Sequence, residues 1–429
     1  MAQRKKKPSG QQLQSIAHAQ YKNEFMRKFK LICNGCCGKD IYHLFPQKIL
    51  DSIYGFRYHS FKIGPADGYL VPGKVLKSIK EILLTTIKNE KIVLPKSGFE
   101  MSIEDYFSIG ATLQGYSKVV KDNDFPNADQ VKNALHEFGT DKTIFVNSIT
   151  KLHDLITVIG SWESTIGGYM YWINYDLKLA TEGSSGMNNL LEVYCHKSET
   201  TKVKINGFVR PIVRVGWGFA NRGLRWLTLQ SSLLNNKNGS FDHTLDLYFQ
   251  SHTLLRMTER IDCLETRTLH LNAIVSFQNA KVFYDNNHNI LIEYRIWQCK
   301  VGYFRVDIVN GIAVARTFLF LTQSGTPEGQ LLWKNTGLQK LDTKYLAMDK
   351  LSSFMSSDIG DNEKARKILQ DSGCQGLLDL YARISQSSTK HPSQSTGRMM
   401  LDYLGIRDHL FPEDLNDLTA YENIPKLTN

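Results

Sequence analysis

The sequence predicts an α+β protein: a helical N-terminal region, a central antiparallel β-rich region with packed helices, and a helical C-terminal region. Three observations carry this expectation. Apolar residues recur at helical spacing before residue 160, Asn-Gly pairs join alternating segments in the middle, and helical spacing returns after residue 330. The chain has 429 residues, 42% hydrophobic and 22% charged, which is globular composition for about two or three domains. That balance excludes collagen, low complexity and wholesale disorder, and no repeat of fixed period is evident.

Taken in order, residues 11–32 read as a helix through Leu13, Ile16, Ala17, Phe25, Phe29 and Ile32, broken by the glycines of 33–39. Val75, Leu76, Ile79, Ile82, Leu83 and Ile87 make one apolar face over 74–89, with Pro72-Gly73 at its start. A third helix is expected over 128–138, with Asn127 and Gln130 resembling a capping box and Gly139 as the stop. A fourth is expected over 148–159.

The middle changes period. Lys202-Val203-Lys204-Ile205 alternates, Asn206-Gly207 supplies a turn, and 208–215 follows as its partner. After a polar break at 235–240, residues 241–262 read as a helix. A meander is expected over 281–322, with strands at 281–284, 290–298, 301–309 and 312–322, and Asn310-Gly311 as its tightest turn. Helices follow at 361–371 and 375–385. The serine-rich stretch 386–397 reads as a linker, and a short helix with an extended tail completes the chain. The expected organisation is a basic arm and first helix over 1–30, a mainly helical region over 31–145, the β-rich centre over 146–330 and a helical region over 331–429.

Charge is unevenly placed. The formal net charge is +10, and residues 1–30 carry +7 of it, with Arg4, Lys5, Lys6, Lys7, Lys22, Arg27, Lys28 and Lys30 against Glu24 alone. Such an arm attracts phosphates or is a solvated tail, and the remainder of the chain demands no polyanionic partner. No segment is apolar enough for membrane insertion, and the start lacks the apolar core of a secretory signal. The 7 cysteines, odd in number and mostly scattered, fit a reducing cytoplasm.

Two local groups could carry chemistry. Cys33 and Cys36 have the one metal-like spacing; a structural zinc there would need further ligands, with Cys37, His43 and His59 available. Ordinary reduced cysteines are the alternative, and no cofactor is required by any other motif. On the helix expected at 241–262, His252, Arg256 and Glu259 fall within about a quarter turn, with Arg260 beside them. Arg supplies charge for a phosphate and His or Glu a general base or acid. The alternative is a network of ion pairs on a solvated helix.

His252-Thr-Leu-Leu-Arg256-Met-Thr-Glu259-Arg260 followed by a β-meander resembles small bacterial ribonuclease toxins of the RelE and barnase-like class. The resemblance spans 241–325. It implies RNA cleavage through the 2′-hydroxyl without a metal, His252 as general base or acid, and Arg256, Arg305 and, face permitting, Arg316 as phosphate clamps. The expected function is therefore RNA or DNA binding with endoribonuclease-like activity. The alternative is a non-enzymatic structural or protein-interaction protein, as of a phage or mobile element.

Overall fold

The computed structural model describes residues 10–180, 186–234, 243–337, 344, 347–356 and 363–387. Arg4, Lys5, Lys6 and Lys7, the polar break at 235–240, linker residues 388–397 and the tail beyond them lie outside these. The chain is α+β and divides into two compact units. The first comprises Met1–Gly68, Leu76–Leu155 and Asn174–Val193; the second comprises Tyr69–Val75, Ile156–Ile173 and Tyr194–Asn429. Among the described residues no helix is long and apolar enough to cross a membrane.

The elements of the first unit begin with α1 (Gly10–Cys37), α2 (Gln47–Gly55), β1 (Tyr58–Pro65) and α3 (Gly73–Asn89). A hairpin of β2 (Lys91–Val93) and β3 (Glu100–Ser102) leads into α4 (Ile103–Asp105), a π-helical turn at Tyr106–Gly110, and α5 (Ala111–Val119). Then come α6 (Ala128–Thr140), α7 (Lys142–Glu163), β4 (Tyr169–Leu179) and β5 (Met187–Lys197), of which α7, β4 and β5, like α3, contribute residues to both units. Phe25, Phe29, Ile32 and Cys33 of α1 recur on one helical face and are all buried. That burial carries α1 past the expected break and through Gly35. The helix stops where Gly38 takes φ +64°, a backbone conformation that favours glycine. The capping box expected at Asn127 is not formed: Asn127 is left-handed at φ +69° and its side chain caps no helix N–H. β1 runs parallel to β5, and the buried Asn189 side chain ties Tyr175, His59 and Phe107 together.

The second unit is built on a large sheet. Its strands are β6 (Thr200–Ile205), β7 (Phe208–Arg214), β10 (Thr228–Gln230), β11 (Thr244–Gln250), β12 (Val282–Tyr284), β13 (Ile290–Ile296), β14 (Cys299–Val309) and β15 (Ile312–Phe320), with β8 (Gly216–Phe219) and β9 (Gly223–Trp226) forming a separate hairpin. The order is β12-β13-β14-β15-β11-β7-β6, with β10 added on β11. Its helices are α8 (Ser231–Leu234), α9 (Ser251–Arg260), α10 (Thr266–Gln278), α11 (Pro327–Thr336), α12 (Leu351–Ser356), α13 (Glu363–Asp371) and α14 (Gln375–Ser387). Both Asn-Gly turns place both residues at positive φ, which suits the twist of the strands they join. The turn between β13 and β14 does the same with Trp297 and Gln298, so β13 ends at Ile296 rather than at 298. The Asn272 side chain accepts the Trp297 amide at 3.2 Å and helps hold that turn.

The helix expected over 241–262 is a correction. Residues 244–250 form β11, and only Ser251–Arg260 are helical. Leu245, Leu247 and Phe249 are buried while Asp246, Tyr248 and Gln250 between them are half-buried, a period of two that only a strand makes. β11 pairs in parallel with β15 and antiparallel with β7, so this segment occupies the middle of the sheet. On the buried face, Phe249 and Phe304 meet Phe277 of α10 and Phe318 packs on Phe304, with ring centroids of Phe249 and Phe277 5.4 Å apart and those of Phe249 and Phe304 5.1 Å apart. α10 is buried nearly all round, His270 and Asn272 included.

Candidate anion-binding site

The other face of the same sheet carries the candidate site, and a β-bulge makes it. Arg305 of β14 is opposite Thr317 of β15, but Val306 is opposite Ala315, so Arg316 is an extra residue. Burial follows this slip. Ala313 and Ala315 enter the aromatic core before it and Phe318 and Phe320 after it, while Arg316 and Thr317 are both left half-buried. The bulge thus turns two consecutive side chains towards the face that Arg305 shares.

The strand-to-helix corner closes the site from the side. Thr253 in the first turn of α9 donates to the Ala315 carbonyl at 2.7 Å, beside the bulge. This contact fixes the start of α9 over β15. Gln250, His252, Arg305, Arg316 and Thr317 then line one cleft of about 430 Å³ together with Arg210 of β7. Arg316 bonds Asp307 at 2.6 Å, and the Arg305 Nε lies 4.0 Å from the same carboxylate without a hydrogen-bond partner. Asp307 thus lies within ion-pair distance of both Arg305 and Arg316, while Arg210 lines the same cleft from β7. The first amides of α9 add partial positive charge at the same edge.

Of the residues nominated from sequence, His252, Arg305 and Arg316 come together. Arg256 and Glu259 do not line the cleft; they pair with each other at 2.7 Å on the exposed side of α9. The Arg256 Nε donates to the His252 Nε2 at 3.4 Å, which engages one ring nitrogen. Arg260 pairs with the buried Asp349. Arg210, Gln250 and Thr317 were missed. Their signal was present in part, since Arg210 follows the Asn206-Gly207 turn on a recognisable strand. Nothing local says that this strand lies two places from β15.

Cys33 and Cys36 sit on a continuous helix, and burial pushes both thiols well above their ordinary range, with Cys37 pushed up to about 11. His43 lies 3.6 Å from Asp40. Among the described residues, no group of three or more His, Cys, Asp and Glu is placed to hold a metal ion. The loop at 322–329 is occupied by its own capping: the Thr326 hydroxyl accepts from the Gly329 amide at 2.9 Å and Pro327 opens α11.

Comparison with protein-family models, curated proteins and solved structures finds no match for this chain.

Proposed function

We propose that this chain binds nucleic acid and that the arginine cleft holds its phosphates. The observation that carries this reading is the convergence of Arg210, Arg305 and Arg316 from three strands of one sheet face, beside a helix N-terminus. Guanidinium forks suit phosphate oxygens, and in a concave, partly shielded site their charge is screened less than on an open surface. The basic N-terminal arm of the sequence adds attraction of the same sign.

Metal-independent phosphodiester cleavage is the second reading, favoured by His252 standing in the same cleft. Attack by a ribose 2′-hydroxyl needs a base for its proton and an acid for the leaving oxygen. Among the cleft-lining residues His252 is the imidazole, a side chain of the type that takes or gives a proton in such a step, so binding leads and cleavage follows from it.

Fluorescence anisotropy with a labelled oligonucleotide, read across a salt series, tests both. Arg305→Ala is expected to weaken binding about 10-fold and to lower the slope of log affinity against log salt by about one. His252→Ala is expected to keep most of the affinity and to remove cleavage if the wild type cuts. Wild-type protein that neither binds nor cuts RNA or DNA at low salt would refute both readings and leave the protein-interaction alternative.

A further inference from the structure

Phe208 opens β7, two residues before Arg210, and is 64% exposed. On a strand, residues 208, 210, 212 and 214 point to one side. The cross-strand partners agree: Phe208 is opposite Ile205 and Ile212 opposite Thr201, while Ile205 and Ile212 belong to one small apolar cluster with Val203 and Val314. Phe208 therefore projects from the sheet face that holds the arginine cleft, about 7 Å along the strand from Arg210. The Arg210 guanidinium lies 5.2 Å from the Phe208 ring centroid. The ring, with the Arg210 guanidinium over one face and the rest open to solvent, and with two more guanidinium groups beyond, is a favourable platform for a flat base on its open face.

Resting on the nucleic-acid reading above, we infer that the ligand is single-stranded RNA, with an unstacked base on Phe208 and the adjoining phosphates on Arg210, Arg305 and Arg316. A duplex keeps its bases stacked inside and offers Phe208 no π-face. Charge complementarity selects a polyanion, and the ring selects one that carries exposed bases. Gln250 and Thr317 supply uncharged hydrogen-bonding groups among the guanidinium groups, which suits the 2′-hydroxyl as both donor and acceptor.

The test uses the full chain and four labelled probes of one sequence: single-stranded RNA, blunt duplex RNA, single-stranded DNA and duplex DNA. Single-stranded RNA should bind tightest. Phe208→Ala should weaken it about 10-fold with the salt slope unchanged, because stacking releases no counterions. Phe208→Trp should keep the affinity, and its fluorescence should be quenched on binding. Phe208 is exposed, so circular dichroism should be the same for all variants. If Arg305→Ala is impaired but Phe208→Ala binds as wild type, or if duplex RNA binds as well as single strands, the single-strand inference fails while the cleft reading stands. If neither variant is impaired, both fail. Equal affinity for single-stranded DNA overturns the assignment to RNA.

Discussion

The two faces of the large sheet are made by the same strands and end in opposite environments. β14 sends Phe304 and Val306 into the aromatic core and Arg305 and Asp307 to the other side. β15 sends Ala315 and Phe318 inward and, across the bulge, turns Arg316 and Thr317 outward. Each face has its histidine. His270 on α10 is wholly buried, and burial lowers its pKa to about 3, outweighing the opposing effect of the Gly216 backbone. Neither of its ring nitrogens has a well-formed hydrogen bond. His252 stands exposed at the cleft. The contrast teaches that the residue types of this sheet are legible one strand at a time, whereas the role of each depends on which face and which neighbours the pairing provides.

The largest expected effect tests the buried face. Phe249→Ala should cost about 3–5 kcal/mol in denaturant unfolding, because it removes the ring that Phe277 and Phe304 both touch. A loss below about 1 kcal/mol would show that this face is not the core of the unit.

Next comes the pH dependence of His270. Its ordinary value is 6.5 and its folded value about 3. Below pH 6.5 the unfolded chain takes up a proton that the folded one refuses, so stability falls as pH falls from 6.5 towards 3. Between pH 7 and pH 5 this amounts to about 2 kcal/mol. Urea unfolding at the two pH values should show that loss in the wild type, and His270→Leu should lack it. An equal loss in both proteins would place the titration elsewhere.

The smallest effect sharpens the contrast from the polar side. Arg256 and Glu259 are 40% and 41% exposed, so Glu259→Gln should change stability by less than about 0.5 kcal/mol and leave oligonucleotide affinity intact. A loss of binding comparable to that of Arg305→Ala would move the site from the sheet to the outer side of α9.

Much of the fold was legible because its signals are local. Asn206-Gly207 and Asn310-Gly311 announce two-residue turns through the positive φ they tolerate, and Ile79, Leu83 and Ile87 announce the buried side of α3. The segment before His252 was misread because Leu245, Tyr248, Phe249 and His252 also fit a helical period over so short a run. Only the neighbours β7 and β15 select the strand, by burying every second residue. Arg256 and Glu259 looked functional on a helical wheel, which shows that side chains share an azimuth and not what that azimuth faces.

By itself the sequence determined the α+β class, the tight turns and the long amphipathic helices. The tertiary structure alone decided that Arg210, Arg305 and Arg316 share one cleft and that Arg256 is not part of it. The reason is range. Helix period and turn geometry act over a few residues. The parallel pairing of β11 with β15, separated in the chain by α9, α10 and three strands, and the slip that frees Arg316 arise only when distant strands exchange hydrogen bonds.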